Sequence, residues 1–119
     1  KVFVPWNSLS EITSISYYHK QAPGVAGQLH KAVIRSESAG GNTVVGYHEA
    51  ADNFANPSTT ATESETILGM SANTNGFATF SATSTFTNED TIAVSIDPTS
   101  DQNDTIVTLW WYLDAYSLQ

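Results

Sequence analysis

The sequence predicts an all-β domain, a two-sheet β-sandwich of about eight strands. Its strand-like runs alternate apolar and polar side chains with a period of two, the pattern of a half-buried strand. Serine and threonine are abundant, and no stretch of about 12 residues carries the apolar stripe of a helix. A jelly roll is the preferred sandwich, and an immunoglobulin-like fold is the alternative. The chain length suits a single domain over residues 1–119.

The first four predicted strands carry β-branched or aromatic residues between turn signals. Residues 2–4 read Val-Phe-Val, and residues 12–18 run from isoleucine to a tyrosine pair that precedes a turn-forming Ala-Pro-Gly. Residues 29–37 and 43–49 contain valines and lie on the two sides of Gly40-Gly41-Asn42. That glycine pair predicts a hairpin connection.

The last four predicted strands follow the same rule. Residues 65–70 and 76–81 flank the turn signal Asn-Thr-Asn-Gly. Residues 91–97 show the cleanest alternation and end at Asp-Pro, and residues 105–114 form the last strand. The residues predicted to point inward from the 91–97 strand are Ile92, Val94 and Ile96.

Two segments are predicted to lie outside the sheets. Residues 53–64 have no large apolar side chain after Phe54, which predicts a long surface loop. Residues 49–54 are predicted to form at most one short turn of helix.

The last predicted strand is apolar on both faces. Val107, Leu109, Trp111 and Leu113 share one face, which is expected to fill the core, and the strand is expected to pair centrally. The other face carries large rings that need a cover of their own, from the domain or from another chain. This pattern predicts a protein that assembles. The residues of the second face are Ile106, Thr108, Trp110 and Tyr112.

Charge is distributed unevenly along the chain. All four basic residues fall in the first 35 positions with a single acid, whereas eleven acids and no base follow. An acidic chain without clustered bases is a poor partner for nucleic acid. The asymmetry indicates either a solvated acidic surface or attachment of the basic part to an acidic partner. No apolar run approaches the about 18 residues of a membrane span, so no membrane partner is expected.

Segments along nearly the whole chain resemble small β-sandwich virion proteins of tailed bacteriophages. The resemblance implies a structural role by binding, as a capsid decoration or cement protein or as a domain of a head fibre or tail appendage. It implies a particle-surface location, a homo-oligomer, most simply a trimer, and a major capsid protein or other virion protein as partner. The segments that carry the resemblance are Val4-Pro5-Trp6, Tyr17-Tyr18, Ala22-Pro23-Gly24, and residues 27–36, 40–43, 77–86, 88–98 and 107–114.

Catalytic and metal chemistry find little support in the residue pattern. His19, His30 and His48 have no spacing that requires them to meet around zinc, and His30 is expected to share a face with Ala32 and Ile34. No Gly-x-Ser-x-Gly nucleophile motif is present in the sequence. We expect no enzyme activity and no cofactor.

Acidic residues offer two weaker candidates. A loop rich in oxygen ligands is a possible Ca²⁺ site, although an acidic turn whose side chains cap backbone amides is the favoured interpretation. Glu63 and Glu65, with Trp6 as a platform, are the residues that can be named for a glycosidase, but no spacing selects them. The residues of the Ca²⁺ candidate loop are Asp97, Asp101, Asn103 and Asp104.

Large rings and scattered bases are the best candidates for a functional surface. Tryptophan and tyrosine dominate interface energetics, and the chain has more large rings than a thin core can hide. The alternative function is a carbohydrate- or receptor-binding domain of a phage fibre or appendage, in which the same rings stack on sugars. The predicted interface residues are Trp6, Tyr17, Tyr18, Lys20, Lys31, Arg35, Trp110 and Tyr112.

Overall fold

A computed structural model describes residues 2–12, 16–21, 26–50 and 60–113, with side chains for 26–50 and for 60–112 apart from Ala82. Nine strands and one short 3₁₀ turn, Ala82–Ser84, make up the described chain. The strands are β1 (Val2–Ile12), β2 (Ser16–Gln21), β3 (Gly27–Arg35), β4 (Gly41–Ala50), β5 (Glu63–Met70), β6 (Asn75–Thr79), β7 (Thr85–Phe86), β8 (Thr91–Pro98) and β9 (Gln102–Leu113).

The strands form two antiparallel sheets packed face to face, so the predicted all-β sandwich is confirmed. Sheet A has the order β1, β9, β3, β6. The short strand β7 pairs with the start of β3, at Gly27 and Gln28, on the same side of β3 as β6. Sheet B has the order β2, β8, β4, β5. Most connections therefore carry the chain from one sheet to the other, and β4 to β5 is a connection between neighbours in one sheet.

The core lies between the two sheets, where the predicted inward faces meet. Ile92, Val94 and Ile96 are at most 1% exposed, as their alternation predicts. Val107, Leu109 and Trp111 fill the opposite side, and β9 lies centrally between β1 and β3. The ring of Trp111 meets that of Phe86 edge-on at 5.5 Å. The prediction of a central last strand is confirmed.

The N-terminal strands differ from their prediction. Residues 12–18 were expected as one strand, but Ile12 ends β1 in sheet A and residues 16–21 form β2 in sheet B. β1 is also much longer than the predicted strand at residues 2–4. Its register against β9 shifts between Pro5 and Ser8. Such a bulge breaks the period of two and hides the strand from the pattern.

The predicted hairpin at Gly40-Gly41-Asn42 is wrong, because β3 and β4 belong to different sheets. The glycines serve a crossover. A Cβ on Gly40 would lie 2.0 Å from the Gln102 side-chain nitrogen, and Gly41 has a φ of +65°. Close approach and a left-handed backbone both favour glycine.

The loop predicted at residues 53–64 is confirmed at residues 60–62 but ends before Glu63, and the predicted helical start at Glu49 is wrong. Glu49 and Ala50 continue β4 as strand, and the remainder of the predicted helical turn lies outside the described residues. Glu63 and Ser64 belong to β5, where Glu63 pairs with Tyr47 and Ser64 with Gly46. Edge pairing therefore extends the sheet into a segment that has no large apolar side chain.

Among the described residues, no helix has the length and apolar character to cross a membrane.

Candidate functional site

The outer face of sheet A collects the exposed rings together with Lys31 and Arg35. Strand register places Lys31 opposite Trp110 and Arg35 opposite Ile106 on neighbouring strands, and Val33 opposite Phe77. Directly opposed residues share a face and contact each other. We call this surface the aromatic face; it comprises His30, Lys31, Val33, Arg35, Phe77, Ile106, Thr108, Trp110 and Tyr112.

A bulge in β3 shapes the aromatic face. The register against β9 shifts between Leu29 and Lys31, while Leu29 and Ala32 are both fully buried in the core. His30 therefore does not share the inward face of Ala32, and that prediction is wrong. Its ring lies on the outer side against Tyr112, with centroids 4.7 Å apart and planes inclined by 53°.

Lys31 lies among the rings of this face. Its Nζ is 4.5 Å from the centre of the Phe77 ring and 5.9 Å from that of Trp110. A cation over an aromatic ring is attracted by about 0.5–1 kcal/mol at exposed sites and by more when desolvated. The ammonium group is thus held on the face rather than extended into solvent.

The rings remain open to solvent in the single chain. Phe77 is 53% exposed, Ile106 is 48% exposed and Tyr112 is 41% exposed, whereas Trp110 is half-buried. The other strongly exposed large apolar side chain of the described residues, Leu68, lies on β5 in sheet B. A contiguous exposed apolar patch is typical of a binding surface.

The structure brings together half of the predicted interface residues. Lys31, Arg35, Trp110 and Tyr112 lie on the aromatic face. Trp6 belongs to β1, next to β9 in sheet A. The remaining three, Tyr17, Tyr18 and Lys20, belong to β2 at the edge of sheet B, away from this face.

Sequence reasoning missed three members of the aromatic face. Phe77 and Val33 alternate with inward residues, so the period of two indicates that they point outward, and only the pairing of their two strands was unknown. His30 was missed because the bulge reverses its side. Neighbouring strands far apart in sequence decide which outward residues meet.

A depression of about 310 Å³ lies at the Arg35 end of the face. Two of its residues, Asn73 and Asp104, have left-handed backbones with φ of 56° and 46°. Asparagine and aspartate tolerate this region better than other residues with side chains. A hydrogen bond that the protonated Glu37 carboxyl donates to Asp104, together with the charge of Asp104, raises the pKa of Glu37. The lining residues are Arg35, Ser36, Glu37, Asn73, Asp104 and Ile106.

The candidate Ca²⁺ loop is tied to a neighbouring connection through its backbone. Ser38 Oγ donates to the Asp101 carbonyl at 3.1 Å and accepts from the Asn103 amide at 2.8 Å. Asp104 turns towards Glu37 instead of towards Asp97 and Asp101. Within the described ranges, no three histidine, aspartate or glutamate side chains converge as metal ligands would.

Glu63 joins sheet B to the segment that follows β6. Its carboxylate accepts from the Ser81 amide at 2.8 Å, from Ser81 Oγ at 2.9 Å and from Thr83 Oγ1 at 2.5 Å. Burial alone raises the pKa of Glu63, but these hydrogen bonds outweigh it and lower the pKa. We call this contact the Glu63 clasp.

Glu65 is the unfavourable neighbour of the clasp. Burial and then the hydrogen bond and charge of Glu63 raise its pKa. The two acids lie two residues apart on one strand, so they do not oppose each other across a cleft as glycosidase acids do.

A histidine and a serine are buried together on the outer side of sheet B. His48 Nε2 lies 2.7 Å from Ser95 Oγ, and both residues are at most 3% exposed. Ala61 approaches the neighbouring Gly46, where an added Cβ would lie 3.3 Å from the Ala61 Cβ. The pair has no access to solvent, and His48 and His30 lie on different sheets.

Comparison with protein-family models, with curated proteins and with solved structures finds no match to this chain.

Proposed function

We propose that the protein is a non-enzymatic structural component of a phage particle, most directly a decoration protein that binds the capsid surface as a homo-oligomer, with a trimer favoured. The aromatic face is the observation that carries this proposal. Exposed rings of Phe77 and Tyr112 beside the half-buried Trp110 offer rigid apolar area, which is the composition of interface hot spots.

The sheet architecture supports the same proposal. One sheet has the order β1, β9, β3, β6 and the other has the order β2, β8, β4, β5. The first four strands therefore alternate between the two sheets. This order supports a jelly roll, because an immunoglobulin-like sandwich keeps its first two strands side by side in one sheet. The jelly roll is a frequent fold of viral capsid domains.

A carbohydrate- or receptor-binding domain of a phage fibre is the second candidate. Its support is the exposure of the aromatic rings, since sugars stack on open ring faces. Two contacts weigh against it: Lys31 Nζ lies over the Phe77 ring, and the rings of His30 and Tyr112 are inclined by 53°. Neither arrangement presents a flat platform.

The test compares two exposed apolar truncations by sedimentation velocity. Trp110→Ala removes a ring from the aromatic face, whereas Leu68→Ala removes a more exposed side chain from β5. We expect the wild-type chain and Leu68→Ala to form the same oligomer and to co-sediment with purified heads of the phage that encodes the chain. Trp110→Ala should weaken both by at least about tenfold, because a central interface aromatic commonly contributes about 2 kcal/mol.

The decoration role would be overturned if the wild-type chain were monomeric and did not co-sediment with the heads. Binding of the monomer to a glycan array, lost in Trp110→Ala, would then establish the carbohydrate-binding alternative. Circular dichroism and melting of each variant confirm that the loss is not unfolding.

A further inference from the structure

The aromatic face carries two basic residues, although the chain as a whole is acidic. Lys31 and Arg35 are the two basic residues among the described side chains, and both lie on this face. The nearest described acids, Glu37 and Asp104, lie at the end of the face near Arg35 and interact with each other. A partner that supplies negative charge near Lys31, together with apolar area, would therefore complement this face.

We infer that the aromatic face of one copy packs on an acidic edge of the next copy, in a head-to-tail contact that closes into a ring. The inference rests on the proposed function, since it names the partner of the same face. The acidic edge is the surface formed by Glu49, Glu63, Glu65 and Glu89; Asp90, whose charge acts on Glu49, is buried beside it.

Electrostatic repulsion disfavours a two-fold dimer in which the aromatic faces of two copies pack against each other. A two-fold contact places the same residues of both copies against each other. Lys31 and Arg35 of one copy would then approach Lys31 and Arg35 of the other within an apolar interface. Like charges opposed across an interface cost several kcal/mol.

Contacts within the chain join the acids of the edge into one surface. The Glu63 clasp ties β5 to Ser81 and Thr83, and the hydroxyl of Tyr47 donates to Glu49 and to the Thr85 carbonyl. The end of β4, the start of β5 and the 3₁₀ turn therefore lie side by side.

The acids of this edge crowd one another. Burial, and then the charge of Asp90, raises the pKa of Glu49, while burial and Glu63 raise that of Glu65. The described part of the chain supplies no lysine or arginine to this surface. A cation from a neighbouring copy would relieve the repulsion.

The two surfaces point in different directions on the sandwich. The aromatic face lies on the outside of sheet A, whereas the acidic edge lies along β5 and the turn that follows β6. A contact between two different surfaces is heterologous, and its repetition gives a ring when the rotation closes.

Complementation between two variants tests the head-to-tail contact. Trp110→Ala disables the aromatic face, and the double change Glu65→Lys with Glu89→Lys disables the acidic edge without removing the Glu63 clasp. Each variant alone should associate at least about tenfold more weakly than wild type. A 1:1 mixture should form a two-chain species by sedimentation velocity, because the intact face of one variant binds the intact edge of the other.

Two outcomes overturn the inference. An edge variant that assembles like wild type shows that the edge is not the partner, and two defective variants that stay monomeric when mixed show that the surfaces do not meet. Both leave the proposed function standing if Trp110→Ala still loses assembly and head binding. Glu65→Gln with Glu89→Gln, measured beside the lysine variant, keeps the test valid if charge reversal lowers the melting temperature.

Discussion

Gly46 lies beside the buried pair of His48 and Ser95, and no side chain fits there. A Cβ at this position would lie 2.5 Å from Ser95 Oγ and 2.9 Å from His48 Nε2. Overpacking of a close-packed site typically costs about 1–3 kcal/mol. We expect Gly46→Ala to lower the free energy of unfolding by about that amount, measured by urea denaturation.

The Ser95 hydroxyl provides the control for this prediction. In a Ser95→Ala background the closest contact is gone, so adding Gly46→Ala should cost less than it does in wild type. Strictly additive losses would show that the effect comes from the backbone and not from the contact with Ser95.

Glu63 makes folding stability depend on pH. Its pKa is lowered in the folded chain, so the clasp stabilises the protein above the ordinary glutamate pKa, and this contribution is lost as pH falls through the lowered value. Glu63→Gln should therefore lower the melting temperature at pH 7, and the gap to wild type should narrow in acid.

Glu65 should behave in the opposite way. Its raised pKa means that the ionised carboxylate destabilises the folded chain at neutral pH, so Glu65→Gln should leave the melting temperature at pH 7 unchanged or raise it. Equal losses in both variants would contradict the assignment of the clasp to Glu63 alone.

At the scale of the element, β9 holds the sandwich together. It is the central partner of β1 and β3, and it supplies Val107, Leu109 and Trp111 to the core. A chain that ends at Gln102 loses both ladders and these side chains, each worth about 2–5 kcal/mol, which exceeds the stability of a small domain. We expect that chain to show no cooperative melting transition, and a sharp calorimetric transition would contradict the central role of β9.

Neighbouring residues of β9 give a matched comparison. Val107 is fully buried and Ile106 is 48% exposed on the opposite face. Val107→Thr should cost about 1–3 kcal/mol, since it buries a hydroxyl in the core. Ile106→Thr should stay within about 0.5 kcal/mol in the monomer, because it lies on the surface. Equal costs would show that β9 has no inward and outward face.

The period of two predicts an element well where the strand is regular and poorly where it is not. The sequences of β8 and β9 alternate without interruption at their centres, and their inward residues were identified from sequence, although residues 91–96 of β8 are buried on both faces. The bulges between Pro5 and Ser8 and between Leu29 and Lys31 shift the register. These shifts hid most of β1 and reversed His30.

The local sequence pattern could not predict which strands pair with each other. The glycines at positions 40 and 41 have the composition of a hairpin, yet Gly40 packs against Gln102 from a distant strand as the chain crosses between sheets. The doubly apolar β9 predicted an exposed ring face, but only its pairing with β3 shows that Lys31 and Phe77 complete that face.

At the scale of the whole molecule, net charge and local charge have opposite signs. The chain carries a formal charge of −8, while the bases Lys31 and Arg35 lie on the aromatic face. In the proposed contact, attraction between the basic residues and the acidic edge would orient the two copies. Charge would then select the arrangement, and ring burial would supply the affinity.

This division predicts how the oligomer responds to salt. At about 1 M NaCl the screening length is near 3 Å, so exposed ion pairs worth roughly 0–1 kcal/mol are weakened. Buried aromatic area is not weakened by salt, and each large ring buries about 150–250 Å². Raising NaCl from 0.1 to 1 M should shift the midpoint of association by less than about fivefold, whereas Trp110→Ala should shift it by more than about tenfold. Sedimentation velocity over a concentration series measures both, with Leu68→Ala as the control for loss of an exposed apolar side chain. If salt dissociates the oligomer while Trp110→Ala assembles normally, the contact depends on Lys31 and Arg35, and the rings of the aromatic face serve another partner.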